Sequence, residues 1–350
     1  MVARKALVAG ALGVVGRAMM HYLQKCPDWD VIGLSRRAPD FGTKTQFLQL
    51  DLIDLEASRG VLGELSEVTH LFYCAYAPRP TFKEEAEVNL AMLRNLMSGL
   101  NGVIDGLEHV QLVHGSKWYG CHLGSYSTPA REDDPRGPAP CFYFDQQDWL
   151  EHQQCGSAWT WSALRPHGIC GFAVGSPISQ LTILAAYGSI MAHFDRPLYF
   201  PGNPGAFSAV YQTTEASLLA EAMAWIATQR ACANEAFNVT NGDFFRWEQL
   251  WPAVASFFGI EPGPARNLNL VEYMADKDPV WNEIRRKHQL KDYKLSDLAN
   301  WEFANWLYNC NYDIMSSTTK LRKAGWNGFV DSVPMYQRLL GQLRDDRIIP

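Results

Sequence analysis

The stretch KALVAGALGVVG (residues 5–16) decides the fold. An apolar run, Lys5–Gly10, leads into glycines at Gly10, Gly13 and Gly16 and then into an amphipathic segment, Val14–Lys25. A strand that turns into a helix over Gly-x-x-Gly-x-x-Gly uses its glycines for a tight turn, for close approach of backbone N–H groups to a pyrophosphate, and for close helix–strand packing. The helix start adds a partial positive charge. The expected cradle is Gly10, Leu12, Gly13, Val14, Val15 and Gly16. A turn without a ligand is the competing reading, and the strand-then-helix context speaks against it.

The apolar run follows a basic start, as a signal peptide would. The glycines mark it instead as a buried first strand, and a cytoplasmic protein is expected.

Further strand-like runs lie at Val31–Ser35, Gln46–Asp51, His70–Ala75, His109–Gly115 and Thr160–Arg165, separated by helical stretches such as Phe82–Leu100 and Asp145–Gln154. Alternation of this kind implies right-handed βαβ crossovers and an α/β fold, a Rossmann-type doubly wound parallel sheet. Residues 1–166 are expected to bind the dinucleotide. Residues 167–350 should form mostly a smaller, mainly helical substrate lobe, with about 205–245 returning to the first domain. The proline-rich Thr128–Cys141 reads as a surface loop. Beyond Pro166, loops at Gly168–Pro177 and Arg196–Gly205 alternate with helical Thr213–Ala227 and Arg246–Phe258 and a strand-like Ala236–Val239, before a tryptophan-rich helical tail, Val271–Pro350.

Composition narrows the function. The 350 residues are 47% hydrophobic with a net charge of −6, which argues against nucleic acid or an anionic membrane as partner. No apolar run reaches the ~18–20 residues of a membrane span. Eight cysteines without C-x-x-C spacing read as reduced thiols, and no metal site is expected. No G-x-S-x-G elbow is present, which disfavours a serine hydrolase. Twelve tryptophans exceed what packing leads one to expect, and some are expected to line an apolar pocket.

The second strand ends in Ser35-Arg36-Arg37, where an NAD enzyme would place an acid. Arginines there accommodate a 2′-phosphate, so NADP(H) is the expected cofactor. An ordinary solvated charge pair is the competing reading. Asp51 and Leu52, after the third strand, fall where a carboxylate could bond the adenine; a helix N-cap is the alternative for Asp51.

Tyrosine-dependent nicotinamide reductases usually carry Tyr-x-x-x-Lys, because residues four apart share a helix face. Here Tyr143 is followed one turn later by Gln147, and a lysine, Lys117, stands upstream in G-S-K-W-Y-G (115–120). Lys117 follows directly on a strand, at the end where such sheets bind ligands. Pro166, Gly168 and Ile169, after the sixth strand, are placed to back a nicotinamide. A surface lysine and a packed aromatic are the plain alternatives for Lys117 and Tyr143.

Several segments carry a family resemblance: V-T-H-L-F-Y (68–73), H-V-Q-L-V-H-G-S-K-W-Y-G (109–120), F-Y-F-D-Q-Q-D (142–148), W-S-A-L-R-P-H-G-I-C-G-F (161–172), N-E-A-F-N-V-T-N-G-D (234–243) and D-P-V-W-N-E-I (278–284). On these the chain resembles the progesterone 5β-reductase/iridoid synthase-like (PRISE) family of atypical extended short-chain dehydrogenases along almost its whole length. The resemblance implies NADPH-dependent 1,4-reduction of the C=C bond of a small apolar enone or enal, with the family's lysine and tyrosine falling on Lys117 and Tyr143. It departs from the family at Trp118, Phe144, Gln147, Tyr76 and His167-Gly168, which leaves the substrate open. Tyr76, Trp118 and Tyr119 are the expected pocket residues, and a homodimer is the one protein partner considered. A carbonyl reductase or an NAD-dependent epimerase or dehydratase of the same fold is the nearest alternative, and a non-catalytic cofactor-sensing regulator a more distant one.

Overall fold

The computed structural model describes residues 4–43, 45–100, 106–176 and 178–350. Residues 1–3 of the N-terminal run and Pro177 of the loop after Gly168 lie outside the described residues. Strands β1 (Arg4–Ala9), β2 (Trp29–Ser35), β3 (Phe47–Gln49), β4 (His70–Tyr73), β5 (His109–Val113) and β6 (Thr160–Arg165) join the strand Glu235–Asn238 in one seven-stranded sheet. Its order is Glu235–Asn238, β6, β5, β4, β1, β2, β3, and every pairing is parallel. Parallel neighbours need crossovers. Helices α1 (Val14–Leu23), α2 (Leu55–Leu62), α3 (Phe82–Leu100) and α4 (Phe142–Gln154) supply those along the first half.

Alternation along the strands sets the two faces. Leu7 and Ala9 of β1, Ile32 and Leu34 of β2, and Val110 and Leu112 of β5 pack with Leu62 of α2, Leu93 and Leu96 of α3 and Leu150 of α4. Gln111, between those two β5 residues, points to the opposite face and donates to the Met223 carbonyl at 3.1 Å, in the helix Ala216–Thr228. That helix packs beside α1. Both faces are therefore covered, as a doubly wound sheet requires.

The chain divides into two compact units. The first holds Met1–His167, Ala216–Val239 and Ser317–Asn327; the second holds Gly168–Glu215, Thr240–Ser316 and Gly328–Pro350. Ser317–Asn327 belongs with the sheet for a reason its own pattern does not announce. Ser317 donates its N–H to the Ala130 carbonyl (2.8 Å), Asn238 donates to the Ser317 carbonyl (3.2 Å), and Lys320 pairs with Glu235 at 2.6 Å.

Within the second unit, the helices Gln180–His193, Trp247–Phe258 and Ser332–Asp345 are the longest elements. Trp247, Trp251 and Trp281 are fully buried. Trp281 donates its indole N–H to the Tyr293 carbonyl at 2.9 Å. These three tryptophans serve packing rather than an open pocket. No helix among the described residues is long and apolar enough to cross a membrane.

Two histidines of the sheet itself, His70 and His109, are held neutral. His109 is held between Thr160 Oγ1 and Ser162 Oγ, each at 2.8 Å, and burial pushes its pKa down to about 3. His70 meets Thr69 Oγ1 at 2.8 Å and is pushed down to about 4, chiefly by burial and then by Arg4. The unfolded chain protonates both near 6.5, so below that pH it binds more protons than the folded one. Stability is therefore expected to fall as pH drops from about 6.5 towards 4. Denaturant unfolding at pH 7.5 and 5.5 checks this. His109→Gln should flatten the slope; an unchanged midpoint in the parent chain would contradict it.

Candidate functional site

The turn after β1 is built by crowding. Gly10 has φ +80°, and a Cβ on it would lie 2.7 Å from the backbone of Cys74 and Ala75 beyond β4. A Cβ on Gly16 would lie 2.2 Å from the Gly10 carbonyl oxygen, so α1 rests directly on the turn. Gly13 is the N-cap of α1, and no side chain caps the helix there. Leu12 and Val15 are buried. Val14 is partly exposed. A helix N-terminus uncapped by any side chain, reached by close-packed glycine backbone, fits a pyrophosphate.

The end of β2 leaves Ser35 partly buried and Arg36 and Arg37 exposed. Arg17 of α1 forms an ion pair with Asp40 and lies over the Phe41 ring, 4.8 Å from its centroid, tying the following loop to α1. Asp51 is exposed and accepts the Ile53 N–H at 3.1 Å. It caps a turn and not a helix, because the α2 N-cap is Asp54, which accepts from Ala57 at 2.9 Å. Leu52 is buried.

Tyr143 sits in the first turn of α4, a helix that starts at Phe142, three residues earlier than its pattern suggests. Its hydroxyl faces Gly115 just beyond β5, where a Cβ would come within 3.2 Å of it and 3.4 Å of the Pro166 carbonyl. The Ser116 N–H donates to that same carbonyl at 3.2 Å, which joins the β5 and β6 ends. Burial, then Cys141, Tyr76, Cys121 and Glu85, raises the phenol's pKa well above its ordinary value. Tyr143 is therefore a firmly protonated donor.

Lys117 lies in a short 3-10 turn, Ser116–Tyr119, and its ammonium is 3.6 Å from Glu85 Oε1. Glu85 is a buried carboxylate in the first turn of α3. Thr81 and Glu84 bond reciprocally at that helix start, so the next residue is left to turn inward. Tyr76 is exposed on one side, stacks on Phe142 (5.6 Å, 23°) and faces Glu85, whose charge and hydrogen bond add to burial in raising its phenol. Asn89 pins this loop by accepting the Ala77 N–H (2.9 Å) and donating to the Ala77 carbonyl (2.8 Å). Around Lys117, exposed Phe82 and partly buried His122 meet edge to face at 5.3 Å, and Leu123 is exposed beside them. His122 is pushed down to about 4 by burial and by Lys117.

Behind Tyr143 the rings are stacked. His114 lies 4.7 Å from Tyr143 and 6.0 Å from Trp118, and burial, then Arg165, keeps it neutral while Gln146 pulls the other way. Trp118 carries the Arg165 guanidinium 3.7 Å above its ring. Tyr119 donates to Asn238 (2.7 Å) and accepts from Arg165 (3.1 Å). Trp118 and Tyr119, expected in a pocket, are buried in this cluster, because the Trp118 ring lies against Arg165 and Phe144 and the Tyr119 hydroxyl is engaged by Asn238 and Arg165. Of the three expected pocket residues only Tyr76 is accessible, at 37%.

Gln147 is buried and donates to Glu151 at 2.9 Å on its own helix. Gln146, not Gln147, reaches across, donating to the Asn89 carbonyl at 2.9 Å. His167 closes the first unit with Nδ1 against Ser116 Oγ. Gly168 and Ile169 open the second unit, where Gly168 has φ +52° and a Cβ on it would lie 2.8 Å from Gln180 Oε1. Within the first unit the structure thus assembles Tyr143, Lys117, Tyr76 and Pro166. Glu85, His114 and Gln146 join them unannounced by any motif. An acid directly after the Thr81–Glu84 pair was the one signal on offer.

The model of the PRISE-like Rossmann-fold domain family matches residues 46–350. The short chain dehydrogenase gsfE of Penicillium aethiopicum is 31% identical over 99% of both chains. The 3-oxo-Delta(4,5)-steroid 5-beta-reductase of Arabidopsis thaliana is 33% identical over 99% of this chain and 93% of its own. The (S)-8-oxocitronellyl enol synthase of Catharanthus roseus is 31% identical over 99% and 92%. Among solved structures, the UDP-glucose 4-epimerase of Thermus thermophilus in complex with NAD superposes with a TM-score of 0.68 at 17% identity, covering 97% of this chain and 99% of that one. That last likeness is one of fold alone. With the family's pattern running over most of the sequence, and relatives above 30% identity along nearly all of it, the chain belongs to the PRISE-like Rossmann-fold family.

Proposed function

We propose that this chain is an NADPH-dependent ene reductase that carries out 1,4-reduction of an activated enone or enal. One observation carries the reading: the Tyr143 hydroxyl faces the end of β5, and Lys117 is delivered from the same strand end. Relatives named as a steroid 5-beta-reductase and as enol synthases support it. The first unit would bind the cofactor and the second would add to substrate binding.

The residues present fit a dinucleotide. Gly10, Gly13 and Gly16 leave room for backbone to meet the pyrophosphate, and Ser35, Arg36 and Arg37 are accessible for a 2′-phosphate. When bound, the cofactor supplies the hydride. The chain's own task is the charge that hydride addition at the β-carbon pushes onto the carbonyl oxygen. Tyr143 donates a hydrogen bond to that oxygen and Lys117 adds an ammonium, so the enolate is stabilised as it forms. The α-carbon then takes its proton from solvent. Phe82, Tyr76 and Leu123 offer apolar cover for the substrate. A carbonyl reductase or epimerase of the Tyr-x-x-x-Lys type is less well supported, because the side chain one turn after Tyr143 is a glutamine bonded to Glu151. All eight cysteines are free of disulfides, which supports a reducing, cytoplasmic setting.

Incubated with NADPH, a cyclic enone should give the saturated ketone; an allylic alcohol would contradict 1,4-reduction. Tyr143→Phe and Lys117→Met should each lower kcat by about 10²–10³, the usual cost of one oxyanion donor. Steady-state kinetics with the two variants reads this directly.

Replacing both Arg36 and Arg37 by alanine should raise KM for NADPH about 10–100-fold, the worth of one or two charge-assisted hydrogen bonds, and leave KM for NADH nearly unchanged. Equal effects on both cofactors would remove the 2′-phosphate assignment.

The useful form of Tyr143 is its acid form, present below the phenol's pKa and lost above it. With that pKa raised, kcat should stay flat from pH 7 to about 9.5, short of the ordinary tyrosine range near 10. A fall in kcat centred near pH 7–8 that Tyr143→Phe abolishes would show a phenol activated by lowering instead.

A further inference from the structure

Glu85 has no place in the mechanism above, yet it is the most constrained charge near it. Its side chain is 8% exposed, in the first turn of α3, and Lys117 is the cation within ion-pair distance of it among the described residues. A carboxylate is seldom buried without a partner, because removing one partner of such a pair leaves an uncompensated charge. The loop geometry does not need it: Asn89 already fixes Ala77, and Thr81 with Glu84 already starts the helix. What Glu85 does hold is the far end of Lys117. That side chain is 37% exposed and has four rotatable bonds, and its ammonium lies 6.0 Å from the Phe82 ring centroid. Tyr76 faces the same carboxylate.

We propose that Glu85 is the positioning residue for Lys117. Its carboxylate, anchored at a helix start that favours an anion, fixes the ammonium beside the Tyr143 segment so that an enolate oxygen meets an oriented donor. Lys117 then costs little reorganisation when charge develops, which is the condition under which such a donor is effective. Tyr76 is the third member, a phenol held against the carboxylate at the accessible side. This assignment rests on the enone reading of the site.

The test is a double-mutant cycle between positions 85 and 117, read twice. Glu85→Gln keeps the shape and the hydrogen-bonding capacity of the side chain and removes its charge. Measured with an enone, Glu85→Gln should lower kcat about tenfold or more in the presence of Lys117, with KM for NADPH within about twofold of the parent. In a Lys117→Met background the same substitution should cause no further loss of kcat. In thermal unfolding, Lys117→Met should lower the midpoint more when residue 85 is Glu than when it is Gln, because only then is a buried charge stranded. Glu85→Met serves the same cycle if Gln at 85 prevents folding.

An equal loss of kcat in both backgrounds would mean that Glu85 merely supports the fold, and would overturn the proposal. So would an unchanged kcat in the parent background. If the parent chain turns over no enone at all, the ene-reductase reading fails. The unfolding cycle still decides whether the two residues are coupled, and additive midpoints there would remove the ion pair on which the proposal stands.

Discussion

Every strand of the main sheet runs in the same direction, so each hands its following loop to the same edge. The Gly10 turn, Ser35 and its arginines, the Cys74–Tyr76 loop, Gly115 with Lys117, and Pro166 are far apart in sequence but follow the ends of β1, β2, β4, β5 and β6. Ligand binding at the carboxyl ends of a parallel sheet is a consequence of that direction alone. The crowding at Gly10 shows how tightly it is enforced. A single methyl group there would strike the backbone that follows β4, so the cradle and the Tyr76 loop constrain each other before any ligand arrives.

Strand ends deliver backbone; buried amides hold the side chains that matter. Asn89 of α3 locks the loop carrying Tyr76, and its own backbone carbonyl accepts from Gln146 of α4. One polar chain thus fixes α3, which presents Glu85, relative to α4, which presents Tyr143. Buried amides without partners would be costly, and these find theirs on the backbone. The ring stack of Tyr143, His114 and Trp118, capped by the Arg165 guanidinium, braces the phenol from behind. Neutral His114 suits this place, since a charged ring would be desolvated here beside Arg165.

Periodicity and glycine spacing carried the fold well, because β1, α1, α3 and β6 follow local patterns that no distant contact overrides. Lys117 and Tyr143 were legible through the family pattern, and the β5 end places Lys117 independently. Trp118 and Tyr119 show where such reading fails. Aromatics beside a lysine at a strand end look like a pocket wall, and only the Arg165 guanidinium above the indole reveals them as packing. Glu85 was hidden for the opposite reason: an acid in the first turn of a helix is ordinary in sequence, and its significance comes from a lysine 32 positions away that folding brings to 3.6 Å. Gln147 looked like a vacancy for a lysine, yet its partner lies on its own helix.

Electrostatics then distinguishes this arrangement from a tyrosine–lysine pair sharing one helix face. A lysine beside a phenol lowers the phenol's pKa and prepares it to give up or take a proton. Here the groups that bear on Tyr143 are burial, two thiols, another phenol and a carboxylate, and all act in the direction that keeps its proton on. Such a tyrosine is poorly suited to shuttle a proton to an alkoxide and well suited to donate a hydrogen bond to a delocalised enolate, whose oxygen carries only part of the charge. The lysine, paired with Glu85, brings donors without bringing a full unbalanced charge into a half-buried site. A weakly basic oxyanion needs orientation more than it needs field strength. The arrangement of a protonated phenol with a counter-ion-bound ammonium therefore matches reduction of a conjugated C=C bond better than reduction of an isolated carbonyl.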